Sequence, residues 1–358
     1  MTVFSDPDFD DHEQIVFASD AATGLKAIIA IHDTGNGPAL GGCRMWDYAD
    51  EREAARDALR LARGMTYKSA LAGLPLGGGK SVIIGDSRKI KTPELMRAMG
   101  RAVDRLGGRY IVAEDVGTSV EDMTEIRKET EFVAGLPAAL GGRGDPSWHT
   151  ARGCFVGLRA AVEYSGRVQG SDGGLDGLRV AVQGLGNVGW HLCRMLHEAG
   201  ALLWVSDVRA ERAAEAVATF GATAAPVEAI HAVEADVFAP CALGAGLNDR
   251  TIPALKARIV AGSANNQLAE SRHGMALRQR GVIYAPDYVL NAGGVINVAA
   301  ERTGYSEAEV TEKVDGIHGT ILSILARADR LNIPTSEAAD RIAEERFRPH
   351  GKRGALAA

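Results

Sequence analysis

The chain has 358 residues, 46% of them apolar, which is enough for two domains with complete hydrophobic cores. A formal charge of −6 argues against a nucleic-acid-binding surface, and no apolar run is long enough to span a membrane. The four cysteines (Cys43, Cys154, Cys193, Cys241) are scattered and the nine histidines show no ligand spacing. They read as thiols of a cytoplasmic protein and as a chain without a metal site.

The first residues, MTVFSDPDFDDHEQ, are acidic and lack the apolar stretch of a secretory signal. Gln14–Ala18 and Leu25–Ile31 flank the turn Asp20–Gly24 and read as a strand hairpin. Gly35–Gly42 is loop chemistry. Glu51–Lys68 is a long helical pattern in which Leu61, Met65 and Lys68 share a face. Gly77, Gly78 and Gly79 read as a loop without side chains that hands Lys80 to the β-like run Ser81–Ile84. A backbone that close to a ligand needs glycine, and the glycines are expected to make room for one. Thr92–Leu106 is a helix ended by Gly107-Gly108, and Arg109–Asp115 is a short apolar strand that ends in two carboxylates. Thr118 opens the next helix, with Glu121 closing a capping box.

Pro137–Ser147 is Gly- and Pro-rich and marks a hinge or domain boundary. Ala151–Tyr164 is a helix and Gly170–Gly177 a loop. From Leu178 strand and helix alternate, which implies parallel strands. The tail Ser306–Phe347 is helical and amphipathic, interrupted at Pro334; its cluster Ile321, Leu322, Ile324 and Leu325 would serve an interface or a core equally well.

Residues 178–207 carry a G-x-G-x-x-G at Gly184, Gly186 and Gly189. The strand Leu178–Val182 precedes it, a helix from about Asn187 to Glu198 follows, and a second strand, Leu202–Ser206, ends at Asp207. The glycines allow the tight turn, the approach of a pyrophosphate and helix–strand packing. The helix N-terminus offers free N–H groups to phosphates. Asp207 is placed for the adenosine ribose hydroxyls and would repel a 2′-phosphate, which favours NAD, although Arg209 stands nearby.

Lys80 also invites a phosphate-loop reading. That pattern needs glycine at Leu74 and a helix after the lysine; both are wrong here. Lys68 reads equally as a solvated helix lysine and as an anion grip. Asp115, at the end of an apolar strand, reads equally as a turn carboxylate and as a ligand group.

The segments GPALGGCRMW, ALRLARGMTYKSALAGLPLGGGKSVIIGD, AEDVGTSVEDM, AVQGLGNVG, VFAPCALG, IVAGSANNQL and YAPDYVLNAGGVINVA span Glu13 to Phe347. On these the chain resembles the glutamate/leucine/phenylalanine/valine dehydrogenase family, most closely its leucine-specific members. The resemblance implies an α/β protein of two domains with a cleft between. An N-terminal substrate domain would occupy residues 1–145, completed by helices at 325–358, and a Rossmann-fold domain would occupy residues 146–324. Closure about the hinge would bring the nicotinamide against the substrate.

The implied reaction is reversible oxidative deamination of an L-amino acid by NAD. Lys68 would bind the α-carboxylate, Lys80 would be the general base, Asp115 would exchange protons with the amine, and Asn265 would help hold carboxylate and nicotinamide. Thr150, Gly184, Leu185, Gly186, Asn187, Val188, Gly189, Asp207, Ala239, Pro240, Cys241 and Asn291 would line the cofactor site with Asn265. A base lysine must be neutral, and burial with a neighbouring ammonium lowers its pKa. Leu40, Gly41, Met65, Ala113 and Val295 would form an apolar pocket for a branched side chain; each reads equally as core. Leu40 stands where glutamate-specific members carry a lysine. Leucine, with isoleucine and valine, is the expected substrate; phenylalanine or valine specificity, or a silent NAD-binding protein, are the alternatives. The expected partners are a small-molecule substrate and further copies of the chain. Trp148, His149 and Cys43 depart from the family pattern. A capping role for Trp148 and a structural one for His149 compete with roles in the site.

Overall fold

The computed structural model describes residues 3–166, 174–242 and 244–348, so part of the expected loop at 170–177 lies outside the described residues. The chain divides into two compact units. One takes the residues up to Gly144, Asn297–Ser306 and those from Ala343 on; the other takes Asp145–Ile296 and Glu307–Ile342.

The first unit contains β1 (Gln14–Asp20), β2 (Leu25–Asp33), β3 (Ala39–Trp46), α1 (Glu51–Leu71), β4 (Gly77–Ile84), α2 (Ser87–Ile90), α3 (Pro93–Asp104), β5 (Tyr110–Glu114) and α4 (Val120–Arg127). The sheet order is β1-β2-β4-β3-β5, with the β1–β2 hairpin antiparallel, β4 antiparallel to β2, and β3 parallel to both β4 and β5. Asp50 starts α1 by accepting from the N–H groups of Arg52 and Glu53. One sheet face packs Ile28, Ala30 and Val82 against Ala54, Ala58, Leu59 and Ala62 of α1. The other packs Ile29, Ile31, Met45 and Ile83 with Leu95, Met99, Val103, Met123 and Ile126.

Three expectations change here. The segment expected as a loop at Gly35–Gly42 runs into β3, an interior strand. The glycine run is the start of β4, not a loop. A Cβ on Gly77 would lie 1.9 Å from the Asp33 oxygen, and one on Gly78 would lie 1.9 Å from the Thr66 nitrogen. At Gly77 and Gly78 the space a side chain would need is taken by the backbones of β2 and α1. Finally, α4 starts one residue late, because Ser119 and Asp122 form the capping box. The Thr118 hydroxyl is committed elsewhere: it donates to the Cys43 carbonyl at 2.8 Å and accepts from the Asp115 N–H at 3.0 Å.

The second unit opens with α5 (Ser147–Tyr164), four residues earlier than its sequence pattern suggests. It continues through β6 (Arg179–Gln183), α6 (Asn187–Glu198), β7 (Leu202–Ser206), α7 (Ala210–Phe220), β8 (Thr223–Ala224), β9 (Val237–Pro240), α8 (Thr251–Ala254), β10 (Ile259–Val260), α9 (Arg272–Gln279), β11 (Ile283–Tyr284) and α10 (Asp287–Leu290). The remaining helices are α11 (Gly293–Thr303), α12 (Glu307–Asp315), α13 (Ile317–Leu331) and α14 (Thr335–Phe347). The sheet is parallel in the order β11-β10-β9-β6-β7-β8. The chain leaves β6 in one direction and returns on its other side at β9, which makes a topological switch point between these strands.

The C-terminal helices divide differently from the expected 325–358. Residues 307–342 group with the second unit, and only the end of α14 joins the first. The reason is α13, which buries Ile317, Ile321, Ile324 and Leu325 in that unit's core. Gly153 of α5 lets it in: a Cβ there would lie 2.8 Å from Ile317 Cδ1. The end of α14 is pinned to α1. Tyr67 donates to Glu344 at 2.9 Å, Arg346 donates to the Leu71 carbonyl at 2.9 Å, and Phe347 packs on Tyr67 and His32.

Candidate functional site

The first unit gathers its chemistry on the α1 side of the sheet. The register sets Leu40 of β3 beside Gly78 and Ile111, and Gly42 beside Ala113. Lys80 lies on β4, 6% exposed, and Asp115 follows β5 directly. Lys80 Nζ donates to Asp115 Oδ2 at 2.5 Å. Gly42 is what permits this: a Cβ there would lie 2.7 Å from Asp115 Cβ and 3.2 Å from Lys80 Nζ. Gly41 turns the other way, against the Gly79 backbone, where a Cβ would meet the carbonyl oxygen at 1.7 Å. Leu40 is buried, and Met65, Lys68 and Ala113 are half-buried.

A polar network extends from this pair. Arg44 Nε donates to the same Asp115 Oδ2 at 3.0 Å, and Arg44 Nη1 donates to Asp57 Oδ2 at 2.8 Å. Asp57 also accepts from the Tyr48 hydroxyl at 2.8 Å and from Arg60 at 2.9 Å. Burial pushes the Lys80 pKa below its ordinary value against the pull of Asp115, and the Arg44 charge adds to the depression. Burial works to raise Asp115, but the charges of Lys80 and Arg44 outweigh it and hold the carboxyl below its ordinary range. The result is a buried amine inclined to lose its proton, in contact with an ionised carboxylate. That arrangement suits base catalysis and proton exchange.

Arg44, Asp57 and Gly42 were not singled out from the sequence, although signals for them existed. Asp57, Leu61, Met65 and Lys68 form one stripe along α1. Leu40, Gly42 and Arg44 alternate along a strand that reads as a loop only because of its glycines.

In the second unit the candidate cofactor residues sit at the C-terminal ends of successive parallel strands. Gly184–Gly189 follows β6, Asp207 follows β7, Ala239-Pro240-Cys241 ends β9, Asn265 follows β10, and Asn291 follows α10. Gly184 has φ +94°, and a Cβ on Gly189 would lie 2.0 Å from the Gly184 oxygen, so these two glycines serve the turn and the helix packing. Around Gly186 the space is open to 4 Å. Helix α6 starts there without a side-chain cap, leaving the first-turn N–H groups of Asn187, Val188 and Gly189 for an anion. Asp207 pins the turn by accepting from the Leu185 N–H at 2.7 Å, and Arg209 lies 3.5 Å from its other oxygen. Asn291 Nδ2 donates to Asn265 Oδ1 at 2.7 Å. Two buried atoms in this unit, Ser206 Oγ at the end of β7 and Asn291 Oδ1 just after α10, have no partner among the described residues. Orphaned buried polar atoms, an open glycine and an uncapped helix start together fit a bound dinucleotide.

Thr150 lies in the first turn of α5, where its hydroxyl donates to the Pro146 carbonyl at 3.0 Å; a Cβ on Gly294 would lie 2.6 Å from its oxygen. Val295 is half-buried in the first turn of α11. His149 Nε2 pairs with Glu307 at 2.9 Å, which ties α5 to α12 and favours its structural role. Trp148 is 38% exposed and lies under the Arg152 guanidinium.

Two other features of the second unit bear on possible sites. Asp249, Glu270 and His273 bring potential metal ligands together. However, His273 Nδ1 accepts from the Glu270 N–H at 2.9 Å, so Nε2 carries the proton and faces Asp249 at 3.2 Å, and Arg272 neutralises both carboxylates. A cavity of about 660 Å³ lies beside Tyr164, Arg278 and Asp329; none of the candidate residues lines it.

Two family models together match most of the chain. One, described as Glu/Leu/Phe/Val dehydrogenase, dimerisation domain, covers residues 12–132. The other, described as Glutamate/Leucine/Phenylalanine/Valine dehydrogenase, covers residues 141–347. The sequence is 56% identical to a leucine dehydrogenase of Geobacillus stearothermophilus over 97% of this chain and 94% of that one. It is 47% identical to a phenylalanine dehydrogenase of Bacillus thermotolerans over 96% and 90%. The crystal structure of an L-tryptophan dehydrogenase from Nostoc punctiforme superposes with a TM-score of 0.85 at 46% identity, covering 94% of this chain and 96% of that one.

Proposed function

The chain belongs to the Glu/Leu/Phe/Val dehydrogenase family and is an amino-acid dehydrogenase; from that premise we propose that its substrate is a branched-chain L-amino acid and its cofactor NAD. L-leucine is the principal substrate, with isoleucine and valine accepted. The amino acid, NAD and water become the 2-oxo acid, ammonium, NADH and a proton, reversibly. The compartment is the cytoplasm, and the enzyme assembles as a homo-oligomer through the matched dimerisation domain.

The observation that carries the reading is the contact of buried Lys80 with half-buried Asp115, in a chain so similar to a leucine dehydrogenase. Lys68 grips the α-carboxylate. Asp115 takes the proton that the substrate ammonium must lose. Neutral Lys80 then removes a proton from the water that attacks the iminium carbon, and returns it as ammonia leaves. When bound, the nicotinamide supplies the hydride acceptor. Asn265, held by Asn291, and Thr150 would hold the nicotinamide end of the cofactor. Asp207 selects against a 2′-phosphate by its charge. Gly184, Leu185, Gly186, Asn187, Val188 and Gly189 would hold the pyrophosphate, with Ala239, Pro240 and Cys241 at the end of the neighbouring strand.

In the first unit Leu40, Met65 and Ala113 offer apolar contacts, with Gly41 in the strand behind. Position 40, where glutamate-specific members carry a lysine, is a leucine and offers no charge to a second carboxylate. One methylene in such a pocket is worth about 1–3 kcal/mol, so leucine, isoleucine and valine overlap as substrates. Initial rates of cofactor reduction at alkaline pH across L-Leu, L-Ile, L-Val, L-Phe and L-Glu, with NAD and NADP, test this. The aliphatic three should lead with NAD; a dominant rate with L-Phe, or with NADP, would overturn the assignment.

A further inference from the structure

We propose, resting on Lys80 as base and Asp115 as its proton partner, that Arg44 is a positioning residue of the reaction: Asp57 anchors it, and it fixes the Asp115 carboxylate where Lys80 meets it. The geometry is a fork between two elements. Nε reaches Asp115 at the end of β5 at 3.0 Å, while Nη1 reaches Asp57 on α1 at 2.8 Å. Both Arg44 and Lys80 donate to the same oxygen, Oδ2. The carboxylate is thereby held by two donors in one orientation. A planar guanidinium can bridge two carboxylates in this way, whereas a lysine offers a single flexible point of charge. Gly42 of β3, with no side chain, leaves Lys80 of β4 and Asp115 after β5 in direct contact on the same face of the sheet.

The bridge also sets the local charge. Near Lys80 are Arg44 from β3 and Asp115 directly after β5, with Cys43 on the opposite face of β3, while α1 contributes Asp57, with Arg60 and Lys68 further along that helix; Tyr48 stands on Asp57. Burial pushes the Cys43 thiol up to about 12, so it stays neutral, as does the buried Tyr48 phenol. Arg44 disfavours a second cation at Lys80, and Asp57 acts in the opposite sense. Removing either partner should therefore move the ionisation of Lys80 in opposite directions, which simple loosening of the fold would not do.

The test is the pH profile of kcat/KM and the split between kcat and KM for Arg44→Met, Arg44→Lys and Asp57→Asn, with Lys80→Ala alongside. Arg44→Met should lower kcat roughly 100-fold with KM changed less than about threefold, because a small misplacement of a reacting group costs about that much. Its acid limb should move up by about one pH unit. Arg44→Lys should keep the limb but lose kcat, and Asp57→Asn should move the limb down. If Arg44→Met does not fold, the Arg44→Lys and Asp57→Asn pair decides. Unchanged kcat and pH profile in the Arg44 variants, or limbs shifting the same way for Arg44→Met and Asp57→Asn, would overturn the proposal while Lys80→Ala stays inactive. Full activity in Lys80→Ala would instead remove the underlying reading, and the proposal with it.

Discussion

Replacing Gly78 by alanine separates two accounts of the glycine run. If the glycines make room for substrate, the methyl group intrudes on a binding site and the fold tolerates it. If they seat α1 on β4, the methyl group strikes the helix. The structure supports the second account: the new Cβ would lie 1.9 Å from the Thr66 nitrogen and 2.5 Å from its Cα, where ordinary contact begins at 3.4 Å. The obstacle is backbone, so α1 must retreat by about 1.5 Å. Overpacking of this kind costs about 1–3 kcal/mol, and a backbone collision belongs at the upper end. For a unit of this size 3 kcal/mol corresponds to a Tm loss of roughly 6–12 °C. Asp57 and Lys68 ride on the displaced helix, so kcat/KM should also fall by roughly 100-fold. Gly186→Ala is the control, since nothing lies within 4 Å of its Cβ position. It should cost under about 1 kcal/mol of stability yet raise the KM for NAD about tenfold or more. Differential scanning calorimetry with initial-rate kinetics reads both. A Gly78→Ala protein with unchanged Tm and only a raised amino-acid KM would refute the packing argument.

His12 gives a pH dependence. Its Nδ1 accepts from the Asp10 N–H, its Nε2 donates to the Leu59 carbonyl, and burial lowers its pKa from 6.5 to about 4. The folded state thus resists protonation. Its contribution is complete above pH 6.5 and should be lost as pH falls toward 4, by about 3 kcal/mol. Urea midpoints across that window should drop in the wild type and drop less in His12→Asn; equal slopes would count against it. Phe347→Ala should cost about 3–5 kcal/mol, measured by urea unfolding, because the 3% exposed ring packs on Tyr67 and His32. A loss under about 1 kcal/mol would mean that α14 does not hold the first unit together. Asp207→Ser should narrow the preference for NAD over NADP by about tenfold or more in kcat/KM, and an unchanged ratio would take nucleotide selection away from Asp207.

The dinucleotide half was legible because its signal is local. Strand, glycines, helix and acid follow one another within residues 178–207, and β6, α6 and β7 lie within two residues of their sequence-based bounds. The first unit was less legible because its glycines answer to distant neighbours. Gly41 and Gly42 sit in an interior strand, and Gly77–Gly79 begin another, for reasons supplied by Thr66, Asp33 and Lys80, which a local pattern does not display. Lys80 stood out by its place after the glycine run, while Asp115 read equally as a turn carboxylate until the family resemblance gave it a role. Arg44 and Asp57 did not stand out, since an arginine and an aspartate 13 residues apart become a bridge only when β3 and α1 pack together. The C-terminal helices misled for a related reason: amphipathic helices show that they are buried, not which core buries them.

The most direct test of the account is L-leucine-dependent reduction of NAD by Lys80→Ala, compared with wild type at matched folding by circular dichroism. A roughly 10²–10⁴-fold fall in kcat with NAD binding intact is the predicted result. Turnover of L-leucine by the folded variant at the wild-type rate would contradict it.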